Sequence, residues 1–62
     1  MTIIDFVELL VDDSQTIELW DNNKEEVVFR GEASEIPLEY EYEDITSIDP
    51  VQNNIITLNF GY

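Results

Sequence analysis

The chain has no cysteine and no histidine, and its basic side chains are one lysine, Lys24, and one arginine, Arg30. Without cysteine no disulfide can staple a small fold, and no redox compartment follows from the sequence. Without histidine there is no ordinary imidazole base, no pH switch near neutrality and no common zinc ligand. Ser14, Ser34 and Ser47 therefore have neither His nor Cys to activate them, and Lys24 is the only amine on a side chain. Two glycines in 62 residues leave little material for a deep pocket. These absences predict a protein that is not an enzyme and carries no cofactor. No apolar run approaches membrane-spanning length. The opening segment MTIIDFVELLVDD lacks a basic n-region and holds Asp5 and Glu8 within its apolar stretch, which argues against a signal peptide. The expectation is a soluble protein of the cytoplasm.

Acid is what the chain has in excess. Asp and Glu number 15 against the two bases, a formal charge of −13. Hydrophobic residues still make up 44% and aromatics 11%, richer than an acidic disordered tail, so the chain should fold. Its length permits one domain, residues 1–62, near the lower limit for folding without metals or crosslinks. So negative a surface should repel nucleic acid and anionic membranes and attract basic proteins, at a cost in self-repulsion.

Local patterns predict α+β: an N-terminal helix packed on a small antiparallel sheet, in the order α-β-β-short α-β-β. Thr2 suits the N-cap of a helix over residues 3–11, with Ile3, Phe6, Val7 and Leu10 on its apolar face. Asp5, Glu8 and Asp12 at i, i+3 and i+7 would form an acidic stripe on the other side. TIELWD (16–21) and EEVVFR (25–30) read as a hairpin joined by NNK or a slightly longer loop. A three-residue loop, NNK, would pair Leu19 with Val27 and Ile17 with Phe29, although Lys24 is a poor left-handed residue. Ser34 could cap a short helical turn containing Pro37, with Ile36 and Tyr40 meeting at i, i+4 on the core side. From about Glu41 the chain should become extended, and DITSID and NIITLNF form a second strand pair around PVQNN. Ile56, Leu58 and Phe60 would face the core.

Three features could carry function. Asp21, Asn23, Glu25 and Glu32 match positions 1, 3, 5 and 12 of a calcium loop. Glu26, however, stands where the sharp turn needs glycine, and the flanks read as strand, so no metal site is expected. Trp20 falls out of phase with Ile17 and Leu19, pointing away from the main core, where it could anchor a partner or cover a minor cluster with Val28 or the end of the sheet. The third is EIPLEYEYED, residues 35–44, with five acids and no base. If residues 39–43 are extended, Glu39, Glu41 and Glu43 point one way, about 6.5–7 Å apart, and Tyr40 and Tyr42 the other. Such a row has the order of spacing of nucleic-acid phosphates, about 3.4 Å of rise per strand along a longer backbone path. It could therefore imitate them to a protein whose Lys and Arg expect DNA. Glu35 and Asp44 flank the row, and the stripe of Asp5, Glu8 and Asp12 could extend it. An edge strand also gains from charge that discourages aggregation, but the excess here goes beyond what solubility requires. Arg30 and Lys24 read as local charge partners.

Gly31, Ala33, Ile36 and Pro37, in a G-x-A-x-x-I-P segment, and Ile56 to Asn59, in an I-T-L-N last strand, carry a resemblance. With the helix and strand pair before them, they resemble short acidic proteins of bacterial phages and other mobile elements. The resemblance implies a host-cell cytoplasmic inhibitor, of the kind that includes anti-CRISPR proteins occupying the DNA-binding site of an effector nuclease. The expected function is thus a non-enzymatic nucleic-acid mimic whose partner is a basic nucleic-acid-binding protein such as a CRISPR effector nuclease. The alternative is a mobile-element interaction or structural protein that uses its sheet edge or Trp20 and is incidentally acidic.

Overall fold

The structure, a computed structural model, describes residues 1–61. Helix α1 (Ile3–Glu8) is followed by strands β1 (Thr16–Asp21) and β2 (Glu26–Glu32). A 3-10 turn (Ala33–Glu35), helix α2 (Leu38–Glu41) and strands β3 (Ile45–Ile48) and β4 (Ile55–Phe60) complete it. The class is α+β, as expected.

The sheet is mixed rather than antiparallel. Its order is β2-β1-β4-β3, with antiparallel pairs at both edges and β1 parallel to β4 in the middle. Burial explains the order. Ile17 and Leu19 of β1 and Leu58 of β4 are completely buried, and Phe60 nearly so. The two most apolar strands therefore take the centre. β2, with Glu26, Arg30 and Glu32, and the short β3 take the edges, where charge and brevity discourage further pairing.

Ile3 and Ala33 join these residues in the core, and Phe6, Val7, Leu10, Ile36 and Tyr40 pack against it from the helical side. The opposite face of the sheet carries Glu18 and Trp20 of β1 and, beside them in register, Thr57 and Asn59 of β4.

α1 is shorter than its periodicity suggests. Thr2 caps it, as expected, and a capping box forms: Asp5 N donates to Thr2 Oγ1 at 3.2 Å and Thr2 N donates to Asp5 Oδ2 at 3.1 Å. The helix nevertheless stops at Glu8, with Leu9 and Leu10 donating to the carbonyls three residues back. No basic side chain sits in the last turn, while Asp12 Oδ1 takes the backbone and hydroxyl of Ser14 at 2.9 and 2.6 Å. That local turn competes with helix, and acids oppose a helix C-terminus. Asp12 is therefore off the helix, and the expected stripe reduces to Asp5 and Glu8.

The first hairpin has a four-residue loop, 22–25, and a different register. Leu19 faces Phe29 and Ile17 faces Gly31, while Trp20 faces Val27 across an irregularity. The left-handed position falls on Glu25 (φ 54°), not Lys24. Asp21 Oδ1 holds the loop by accepting from the amides of Asn23 (2.8 Å) and Lys24 (3.3 Å). The calcium-loop spacing thus lies on a hairpin flanked by strands. At Gly31 a Cβ would stand 3.1 Å from the Phe29 ring, so glycine lets that ring lie along the strand.

The second hairpin closes on Asn53 and Asn54, both left-handed (φ 52° and 61°), between Gln52 and Ile55, which bond to each other through both backbone groups. This is the two-residue turn that matches strand twist, and asparagine tolerates it. Ser34 lies inside the 3-10 turn and does not cap it; Pro37 takes the N-cap of α2.

Gly61 ends β4 at φ 82°, and a Cβ there would meet Asn23 Nδ2 at 3.1 Å and Asp21 Oδ1 at 3.2 Å. Gly61→Ala should therefore destabilise the protein by about 1–2 kcal/mol through the left-handed backbone alone, with more from the crowded loop. A urea midpoint equal to that of the parent chain would refute this account of the strand end.

Candidate functional site

The extended acidic row does not form. Residues 38–41 are helical and 42–43 turn, so Glu39 and Glu41 lie two positions apart on a helix, on roughly opposite sides. Pro37 at the N-cap starts this turn of helix, and Ile36 and Tyr40, four residues apart, dock on the core as expected. The Tyr40 ring lies 5.6 Å from that of Phe60. Burial, then the neighbouring Glu39 carboxylate, hold the Tyr40 phenol above its ordinary value of 10.0. Tyr42, by contrast, is exposed at 77%. The two tyrosines expected side by side are separated into a packing residue and a surface residue.

Glu35, Glu39, Glu43 and Asp44 are exposed, and Glu41 is half-buried. Backbone pairing brings the end of this run to the start of α1: Ile3 N donates to Glu43 O at 3.0 Å, and Thr2 bridges to Asp44. At the other end, Ser34 N donates to Asp13 O at 3.1 Å, which sets the 3-10 turn beside the loop that follows α1. The two parts of the acidic reading thus meet at both ends of one layer. Asp5, Glu8, Asp12, Asp13, Glu35, Glu39, Glu41, Glu43 and Asp44, nine of the 15 acids, lie on the two helices and the segments beside them. All but Glu41 are exposed. These segments contain no lysine or arginine. Asp13 was not singled out by the sequence pattern, because it becomes a member only when α1 stops short and the loop folds back.

Hydrogen bonds lower two of these carboxyls below the ordinary Asp value of 3.8. Asp5 is lowered first by the Thr2 backbone N–H and Asp12 first by the Ser14 hydroxyl. A depressed carboxyl stabilises the fold above its unfolded-state value, and the contribution is lost as pH falls through the folded value. Both therefore favour the native state, fully charged, at neutral pH.

The other face of the molecule differs in kind. Arg30 donates from Nε to Glu18 Oε2 at 2.7 Å, with a second bond from Nη2, and Thr57 Oγ1 donates to Glu18 Oε1 at 3.3 Å. Glu18 is 15% and Arg30 61% exposed, so this base is a local charge partner on the sheet face, as expected. Trp20, half-buried, stands on that face with Val27 opposite it. Its cross-strand neighbour is therefore Val27 rather than Val28, which packs towards the core.

Between α1 and the segment leading into α2 lies an apolar cleft of about 120 Å³, lined by Ile3, Ile4, Val7, Ala33, Ser34, Ile36 and Glu41. No protein family, no curated protein and no solved structure matches the chain. Among the described residues no helix is long and apolar enough to cross a membrane.

Proposed function

We propose that this protein is an acidic, non-enzymatic inhibitor that occupies the basic nucleic-acid groove of another protein, with CRISPR effector nucleases as the target class. The observation that carries the reading is the segregation of charge: nine acids and no base on the helical layer, while both bases lie on the β1–β2 hairpin. A solubility role needs only interspersed charge of modest excess. One face of a single sign creates a field that steers a basic groove and competes with phosphates. The presentation is a rounded helical face rather than a ladder along one strand. The resemblance of residues 31–37 and 56–59 to acidic phage proteins points the same way.

The test is competition with labelled duplex DNA for guide-loaded effector nucleases and other basic DNA-binding proteins, at low and moderate salt. The combined change of Glu8, Glu35, Glu39 and Glu43 to Gln and Asp44 to Asn leaves the Asp5 cap and the Asp12 turn intact. It should weaken competition by more than about tenfold and flatten its salt dependence. Trp20→Ala should compete as the parent does.

One observation favours a second reading: Trp20 and Val27 sit together on a sheet face that the helices do not cover. If Trp20→Ala abolishes partner binding and the neutralised variant retains it, the protein is an interaction module of that face and its acidity is incidental.

A further inference from the structure

Glu41 differs from the other eight acids of the helical layer. It is the one that is half-buried, and it lines the apolar cleft between α1 and the segment leading into α2. Among the described residues its carboxylate has no hydrogen bond and no ion pair. The chain has little to offer it: Arg30 is engaged by Glu18, and Lys24 lies in the hairpin loop. A carboxylate partly withdrawn from water beside aliphatic walls invites a cation that can also cover those walls.

The cleft's size narrows the occupant. About 120 Å³ is well below the ~300–1,000 Å³ of sites that enclose a small-molecule ligand. It suits one side chain. The lining is Ile3, Ile4, Val7, Ala33 and Ile36 with Ser34 and Glu41, so the inserted part must be largely apolar, while the Glu41 carboxylate demands positive charge. Arginine meets both conditions: its methylene stem lies along apolar surface, and its weakly hydrated guanidinium pairs with carboxylate through two parallel hydrogen bonds.

We infer that the α1–α2 cleft receives an arginine side chain of the protein partner, its stem against Ile4, Val7 and Ile36 and its guanidinium on Glu41. This rests on the proposal that the partner is basic, and adds to it a fixed anchoring point within an otherwise diffuse field. The anchor would give orientation, which charge attraction alone does not.

The probe is n-butylguanidinium, titrated into the whole protein while methyl and amide NMR signals are followed. Saturable shifts should concentrate on Ile4, Val7, Ile36 and Glu41. Glu41→Gln keeps the side-chain shape and should weaken the probe by about tenfold, the loss of a charge-assisted hydrogen-bonded pair. Glu25→Gln removes one charge at the hairpin loop and should change the affinity less than twofold. Amide dispersion checks that each variant is folded. Shifts spread evenly over all the acids, or equal weakening by both variants, would overturn the cleft. If that happens while the five-acid variant still loses competition with DNA, the diffuse acidic face stands and only the anchor falls. Focused, Glu41-dependent shifts in a protein that competes with no DNA-binding protein would support the cleft and remove the nucleic-acid mimic instead.

Discussion

Leu58→Ala should leave the chain largely unfolded at 25 °C. Leu58 is completely buried in β4, in register with equally buried Leu19 of β1 and opposite Ile48 of β3. Truncating a buried leucine costs about 2–5 kcal/mol, because the lost transfer energy is joined by that of the cavity left behind. A single core in a chain this short supplies only ~3–5 kcal/mol of net stability, so one such change is comparable with the whole. Repulsion among the acids leaves no reserve, since a net charge of −13 already opposes the compact state. Far-ultraviolet dichroism and a urea titration measure the effect. Leu38→Ala serves as control, because Leu38 is 77% exposed on α2 and its removal should shift the midpoint negligibly. A cooperative transition near that of the parent in Leu58→Ala would mean that the β1–β4 seam is not the core.

Tyr40→Ala should lower the melting temperature by roughly 5–10 °C, and Tyr42→Ala by no more than about 2 °C. Tyr40 rests against Phe60, itself 4% exposed, and is the aromatic that holds α2 to the end of β4. Its loss loosens the helix that carries Glu39 and Glu41 and the turn that carries Glu43. Tyr42 projects into solvent, so its truncation removes surface and no packing. Thermal unfolding of the two variants in the same buffer gives the comparison. Equal melting temperatures would place Tyr40 outside the core and remove the reason for the short helix. The contrast also guards the functional test, since a binding defect in Tyr40→Ala would report a displaced α2 as much as a lost contact.

Elements marked by a local chemical device were legible along the chain. Thr2 with Asp5 three residues on is a capping signal that works within one turn of helix. Ile17 and Leu19 set the phase of residues 16–21, and the boundaries read from it are those of β1, whose burial alternates even where Trp20 and Asp21 break the apolar pattern. The second strand pair was legible around PVQNN, and the structure places its turn at the left-handed Asn53 and Asn54. The first hairpin was legible as a hairpin and not in register. A loop of three or four residues is indistinguishable when Asn, Asn, Lys and Glu can all stand in it, and one residue of difference, with the irregularity after Leu19, changes which side chains meet. The site was legible in composition and not in shape. EYEYE alternates like a strand, yet Pro37 at an N-cap and the docking of Ile36 and Tyr40 wind residues 38–41 into a helix instead.

The sequence alone determined the sign and excess of charge, the absence of cysteine and histidine, the α+β class and the approximate place of each element. These properties depend on single residues or on neighbours within a turn. Only the tertiary structure decided that β1 and β4 run parallel at the centre, that the acidic segments around α1 and α2 are brought together by the Ile3–Glu43 and Ser34–Asp13 pairings, and that Glu41 borders an apolar cleft. Each of these depends on segments far apart in the chain. Thr16 meets Ile55, and Ile3 meets Glu43. Such meetings are chosen by which apolar faces can be buried together, a competition among all the elements at once, and no local pattern records its outcome.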